Sequence, residues 1–347
     1  MRSFDRGAAV LDQVPGAVAR ALADVDRGRG AESMHRAQVP GLIERLAARA
    51  RVESITASSA MEGIVVADGR RAERIIDGSA ATLRTRSEQE LSGYRDALDY
   101  VWQQQWAPLN TGLILHLHRL LLGHTASPGG QFKRADNLVV DRQADGTHTV
   151  RFTPVGPKQT PYFVEELLGR YGEQREVDVH HPLLLVGLLV LDLLVIHPFE
   201  DGNGRVARIL TNAALADTGY GAGRYVSLEQ LVAESADDYY ASLLASTHGW
   251  HEGEHNPWPW LSYLVRRVSD AYALFERRAA GSSTGSKRAR VAEFVLEQAR
   301  PEFRISDIRA ALPGISDGTI RNALDELRAN GRVRVDGTGR GATWNRG

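Results

Sequence analysis

Residues His197 to Arg208 read HPFEDGNGRVAR and gather, within a dozen positions, a histidine, a carboxylate at Asp201, a Gly-Asn-Gly turn and two arginines. These residue types suit phosphate chemistry. An imidazole accepts a proton near neutral pH. Gly202, Asn203 and Gly204 tolerate positive φ, so the chain can turn with several N–H groups facing one way, and such a nest at a helix start binds anions. The helix predicted from about Arg205 to about Asp217 carries Arg205 and Arg208 at i, i+3, on one face and aimed at the loop. Two guanidinium groups there can clamp successive phosphates through paired hydrogen bonds. Asp201 is a hard oxygen donor within reach of the same phosphates, which suits Mg²⁺ held between one carboxylate and a polyphosphate. The pattern predicts a phosphate site with a base beside it.

This stretch resembles the motif of the Fic family, H-x-F-x-[D/E]-G-N-G-R-x-x-R, and meets it at every fixed position. The resemblance implies a nucleotidyltransferase that moves AMP from ATP, with Mg²⁺, onto a hydroxyl of an unidentified target protein or of the chain itself. It implies His197 as general base, Asp201 as metal ligand and Gly202, Asn203 and Gly204 as the anion nest. Phe199 becomes the core anchor of the nucleotide loop, and Arg205 and Arg208 hold the β- and γ-phosphates. Upstream, Ser58, Glu62 and Gly63 in SSAMEG resemble the inhibitory motif [S/T]-x-x-x-E-[G/N] of many Fic proteins. Ser58 and Glu62 lie one helical turn apart and share a face. A Glu62 carboxylate paired bidentately with Arg208 would occupy the guanidinium that the γ-phosphate needs.

The elements that must position these groups are mostly helical. Pro182 to Ile196 is an almost unbroken apolar run with Pro at a first helical position, so it reads as a buried helix that ends at His197. It is about fifteen residues long and contains Asp192, whereas a membrane span needs roughly twenty apolar residues. No membrane role is expected. Residues 1–30 show helical spacing at Val18, Leu22 and Val25 with a weak break at Gly28-Arg29-Gly30, and a stronger helix from Val39 presents Leu42, Ile43, Leu46 and Ala50. Leu91, Tyr94, Leu98 and Val101, then Ile114, Leu117 and Leu121, continue the pattern to Leu122. Asn137 to Thr153 changes to extended runs around Asp145-Gly146, a hairpin signal. This hairpin resembles the flap over Fic active sites, with Gly130, Arg134, Val139 and Pro154 at the family's usual places. An exposed edge at Leu138, Val139 and Val140 would dock an extended piece of target by strand addition. Tyr239, Tyr240 and Leu243 resemble part of a further family signature, with Ser235 and Ala236 where Asn and Arg are common, and the tyrosine pair is expected at the adenine pocket. His248, His251 and His255 lie in a Gly/Trp/Pro-rich loop and match no metal-ligand spacing.

Ala279 to Ser286 reads as a flexible linker by composition. Beyond it, Val291, Phe294, Val295 and Ala299, then Ile308, Ala311 and Leu312, then Ile320, Leu324 and Leu327, mark three helices, and Arg332 to Trp344 alternates like two short strands. This looks like a winged helix-turn-helix. Residues 287–347 carry 12 Lys+Arg against 8 Asp+Glu, and Arg321, Asn322, Arg332, Arg334 and Arg340 offer one face to DNA, although Asp317, Asp325 and Glu326 share the third helix.

The expected architecture is therefore mainly α. A helical region (1–85) carries an inhibitory helix at about 54–63, a Fic core (86–278) carries a flap at about 137–153, and a linker (279–286) leads to a winged-helix α+β domain (287–347). A net charge of −1 gives no global nucleic-acid footprint, the absence of cysteine excludes disulfide and thiolate chemistry, and the first thirty residues lack a signal-peptide core, so a cytoplasmic protein is expected. Two other functions stay open: a DNA-binding regulator whose core only senses nucleotide, and the reverse reaction, removal of AMP, at the same site. The intact His197 favours an enzyme, because a sensor needs the nest and arginines but no base. The target, the nucleotide transferred, the direction of reaction and dimer formation are left open by the sequence.

Overall fold

The computed structural model describes residues 2–5, 8–38, 40–103, 106–142, 148–284, 287–337 and 342–346. Helices α1 (Gly16–Gln38), α2 (Pro40–Met61), α3 (Gly69–Ile76), α4 (Arg86–Trp102) and α5 (Thr111–Leu122) precede the hairpin β1 (Val139–Arg142) and β2 (His148–Phe152). Then follow α6 (Thr160–Val177), α7 (Pro182–Ile196), α8 (Asn203–Asp217), α9 (Leu228–Ala233), α10 (Ala236–Thr247) and α11 (Trp258–Thr284). The fold is mainly α, as the periodicity predicts.

The centre of the core is α7. It is apolar on every side because it is surrounded: α6, α8, α10 and α11 all pack on it, and Leu184 through Leu191 are buried. His181 caps its start by accepting from Leu183 N at 3.2 Å, and Pro182 costs no hydrogen bond at the first helical position. Its one acid, Asp192, is fully enclosed and satisfied by Ser3 N (3.2 Å), Ser3 Oγ (2.5 Å) and Trp250 Nε1 (2.6 Å). Burial nevertheless pushes its carboxyl up to about 6.

Two boundary expectations are corrected. Gly28 does not break a helix: α1 runs through it, and a Cβ there would lie 2.6 Å from Tyr272 Cβ. Glycine is needed at that position because α1 and α11 lie in close contact. Ala279 to Thr284 is not a coil linker but the last turns of α11. Each Ser or Thr costs a helix only a fraction of a kcal/mol, about 1 for Gly, and a long packed helix propagates across that cost. Residues 285 and 286 lie outside the described ones.

The C-terminal unit has a separate core. Val291, Val295, Ile308, Ile320, Leu324 and Val333 are buried together, between α12 (Lys287–Glu293), α13 (Ile305–Ala311), α14 (Asp317–Ala329) and an antiparallel sheet. A π-helical turn, Phe294–Gln298, extends α12. The sheet has the order β3-β5-β4, from β3 (Glu302–Phe303), β4 (Val333–Asp336) and β5 (Thr343–Arg346). The two alternating strands are as expected; the third, β3, was hidden by being two residues long. The turn bearing Arg340 lies outside the described residues.

Candidate active site

Helix α7 ends at His197, which adopts φ 49°, the left-handed region, while its N–H still bonds Leu193 O at 2.9 Å. That conformation is strained for any residue with a Cβ. It turns the chain out of the core and into the loop, and Gly202 at φ 82° turns it again into α8. Asn203 binds the loop shut: its Oδ1 accepts from Phe199 N at 2.9 Å and its Nδ2 donates to Phe199 O at 2.7 Å. The Phe199 ring is fully buried and stacked 3.8 Å from the His118 ring, so it anchors the loop from below and does not face the nucleotide cleft. The side chain of Asn203 is thus a brace, and only its backbone belongs to the nest.

His197 Nδ1 lies 3.1 Å from Leu194 O. That contact requires the proton on Nδ1 and leaves Nε2 as a free acceptor. Burial, assisted by the nearby Lys133 ammonium, lowers the imidazole to about 4 despite the Leu194 carbonyl and Glu62. The ring is therefore neutral at physiological pH and able to take a proton. Beside it opens a cleft of about 280 Å³ whose walls include His197, Asp201 to Gly204, Arg208, Glu62, Tyr240 and Leu243.

The two arginines do not share a task. Arg208 stands in the cleft wall: its Nε donates to Ser58 Oγ at 2.7 Å, and its Nη2 donates to Ser58 O at 3.1 Å and Glu62 Oε1 at 2.8 Å. Burial opposes its charge most strongly, but the Glu62 carboxylate together with Tyr239 and Tyr94 more than offsets it and raises its pKa. The expected Glu62–Arg208 pair is present, through one carboxylate oxygen with Ser58 completing the fork rather than bidentately. Arg205, expected on the phosphates, does not line the cleft: it is 2% exposed behind it, with Nη1 2.6 Å from Glu90 and Nη2 3.2 Å from Asp201 Oδ1. The i, i+3 spacing holds, but the buried Glu90 of α4 captures the first guanidinium, and charge burial demands such a partner. Glu90 is a functional neighbour that sequence reading missed, since a lone acid on a helix carries no signal.

Asp201 is half-exposed; its Oδ1 accepts from Gly202 N at 2.6 Å and its Oδ2 lies 3.5 Å from Arg86 Nη2. Among the described residues no cluster of three or more His, Cys, Asp or Glu is placed to hold a metal. His251 bonds Thr153 O and His255 bonds Ser3 Oγ, each at 2.8 Å. His118, also missed, accepts from Gly130 N at its Nδ1 and donates to Asp201 O from Nε2. Burial lowers it to about 4, which keeps it a neutral brace.

The remaining expectations fall as follows. Gly63, at φ 73°, follows the end of α2 and lets the chain leave once Glu62 is placed. Glu62 Oε1 lies only 2.6 Å from where a Gly204 Cβ would be, directly against the nest. A buried network seats α2: Ser54 Oγ donates to Ser227 Oγ at 2.9 Å, while Glu229 accepts from Tyr94 OH at 3.1 Å and Asn212 Nδ2 at 2.6 Å. Tyr239 is buried edge-on against Tyr240, Trp260 and Tyr263, so it forms the cleft's back wall, while Tyr240 is its accessible neighbour. Leu138 is exposed, and Val139 and Val140 lie on β1 paired with Phe152 and Val150. The turn at Asp145-Gly146 is outside the described residues. Arg134, one of the positions at which the hairpin resembles the family's flap, is exposed and bonds Gln131. Arg321, Asn322, Arg332 and Arg334 are exposed at the C-terminal unit, far along the chain from the cleft; Asp317 beside them pairs with Arg309 at 2.7 Å.

The structure thus brings a neutral histidine at a helix end, a glycine-flanked turn and a buried arginine to one cleft. Residues 108–215 match the Fic/DOC family. The chain is similar to the protein adenylyltransferase Fic of Nematostella vectensis, 29% identical over 193 residues, which are 53% of this chain and 39% of that protein. It is also 35% identical over 108 residues to the protein of that name in Drosophila melanogaster, covering 31% of this chain and 20% of that one. The chain thus spans well under half the length of these relatives. In fold it resembles a Fic family protein from Desulfovibrio desulfuricans, with a TM-score of 0.62 at 19% identity over 96% of this chain and 97% of that one. A similar likeness holds for Fic-1 of C. elegans, with a TM-score of 0.58 at 22% identity over 78% and 74%. No helix among the described residues is long and apolar enough to cross a membrane.

Proposed function

We propose that the chain is a protein adenylyltransferase held off by its own α2 helix. The target hydroxyl gives its proton to His197 Nε2 as its oxygen attacks the α-phosphorus of ATP. The bond from that phosphorus to the bridging oxygen breaks, pyrophosphate leaves, and AMP stays on the hydroxyl as a phosphodiester. Arg208 and the Gly202–Gly204 amides hold the departing phosphates, so the rate comes mainly from positioning and charge stabilisation. Asp201 fits a divalent cation: it is half-exposed beside the nest, and one carboxylate completed by phosphate oxygens suits Mg²⁺ better than an all-protein cage. When bound, Mg²⁺ supplies charge neutralisation on the phosphates. Tyr240 and Leu243 offer an apolar wall to the base.

The observation that carries autoinhibition is the seat of Glu62. Its carboxylate lies on Arg208 and against Gly204 at once, where the terminal phosphate of a productively placed ATP belongs. Like charges cannot share that place. The test is incorporation of label from ATP radiolabelled at the α-phosphate, with Mg²⁺, into the chain or lysate proteins. Label is expected with Glu62→Gly and not with Glu62→Gly, His197→Ala. Equal label from both variants would remove His197 from the chemistry, and no label from either would remove the transferase reading.

A further inference from the structure

The loop that bears His197 is gripped from a second side, by residues that the motif does not include. Between Gly130 and β1 the chain passes behind the loop and bonds four consecutive carbonyls of it. Lys133 Nζ donates to Ile196 O at 3.2 Å, and Lys133 N donates to Pro198 O at 2.9 Å. Asn137 Nδ2 donates to Phe199 O at 2.9 Å and reaches His197 O at 3.5 Å. The two side chains are joined to each other, Nζ to Asn137 Oδ1 at 2.7 Å.

Three features show that this is more than filling. Lys133 is 3% exposed, yet among the described residues no carboxylate hydrogen-bonds its ammonium, Asp136 acting only through its charge, and its donors go to a carbonyl and an amide. Burying an ammonium whose hydrogen-bond partners are neutral is expensive, and an apolar side chain would pack there at less cost. The carbonyls it meets are those left without partners at the end of α7, where a cation also complements the helix dipole. And the residue in the middle of the bonded stretch is His197, whose left-handed φ of 49° needs outside restraint to persist.

We infer that Lys133 and Asn137 are positioning residues: they hold the backbone around His197 in its left-handed turn, and so aim the base nitrogen at the cleft. They do so from the segment that runs directly into β1, so the base and the hairpin are set by one short piece of chain. The inference rests on the proposed role of His197 as base. Lys133 also places a positive charge near the imidazole, in keeping with its neutral state.

The experiment measures AMP transfer in the Glu62→Gly background, with Lys133→Met, Lys133→Arg and Asn137→Ala added singly. ATP binding to each variant and hydrogen exchange across residues 196–204 are measured alongside. The expected result is a kcat lower by about a hundredfold for Lys133→Met, the scale of a small misplacement of a reacting group. A smaller loss is expected for Asn137→Ala, with KM and ATP affinity unchanged, faster exchange at 196–204, and partial recovery in Lys133→Arg. Unchanged kcat in Lys133→Met and Asn137→Ala, with transfer intact in the parent, overturns the inference. A loss that follows ATP affinity or global unfolding, and is not relieved by arginine, overturns it too. Absence of transfer in the Glu62→Gly parent is the failure of the underlying reading, and hydrogen exchange at 196–204 still judges the clamp: unaltered exchange in Asn137→Ala overturns it.

Discussion

Two stretches of chain grip the catalytic loop from opposite sides, and they use different atoms of it. The C-terminal turn of α2 ends on groups assigned to the nucleotide in the proposed function: the Arg208 guanidinium and the face of Gly204. The segment from Lys133 to Asn137 ends on backbone carbonyls, which no substrate needs. On the proposed reading, the first contact competes with ATP and the second shapes the site that ATP enters. Their exposure differs to match, since the Glu62 side chain is 35% exposed while Lys133 is 3% exposed. Glu62 can swing toward solvent and leave the buried Arg208 to a phosphate, whereas a buried ammonium with its partners made has no such exit. The lesson is that the number of bonds to a loop says less than which of its atoms they take.

This contrast can be broken at several points. The largest effect is expected from His197→Ala, which in the Glu62→Gly background should lower the transfer rate by on the order of 10²–10⁴-fold, since a general base is lost. Next, Glu62→Gly alone should raise the rate by about ten- to a hundredfold, the worth of one charge-assisted hydrogen bond taken off Arg208. A Glu62→Gln variant keeps the shape but loses the charge, and its transfer rate should fall between wild type and Glu62→Gly. Arg205→Met should act on folding rather than on ATP affinity: it takes away the buried one of the two arginines that hold Glu90, leaving Arg86, and urea denaturation should show about 1.5–3 kcal/mol less stability.

The smallest effect concerns pH. With His197 held at about 4 by burial, only the neutral ring is competent, so activity rises with pH through about 4 and is flat across neutrality. An acid limb near the ordinary histidine value of about 6.5 would show that the base is not enclosed as described. The sign for stability agrees. His118 and His197 both have folded pKa values below their unfolded ones, so the unfolded chain binds more protons between about 6.5 and 4. Their contribution is complete above that window and is lost as pH falls through it. Asp192, raised to about 6, works in the opposite sense, contributing fully below its unfolded value and losing that contribution as pH rises through about 6.

Much of the site was legible because its geometry is local. His197, Asp201 and the Gly-Asn-Gly turn sit at the junction of two helices whose limits the apolar run and the glycines announce, and α7 spans the predicted Pro182–Ile196. Glu62 and Arg208 were legible for another reason, a second motif with a charge to match. What the sequence withheld is long-range pairing. Helical periodicity places Arg205 on the same face as Arg208, yet it cannot reveal that Glu90, far away in the chain, draws one of them inward. Lys133 stands beside Arg134, and only burial decides which of the two meets the loop. Glycine at position 28 reads as punctuation until Tyr272 is found against it.

The account turns on the two grips having opposite effects, and one comparison of initial rates addresses that directly. AMP transfer to protein is measured, at fixed ATP and Mg²⁺, for wild type, Glu62→Gly and Glu62→Gly, Lys133→Met. The account predicts a rise on removing the carboxylate and a fall of the double variant well below the single one, with ATP still bound. A double variant as fast as Glu62→Gly, or a Glu62→Gly protein no faster than wild type, would contradict it.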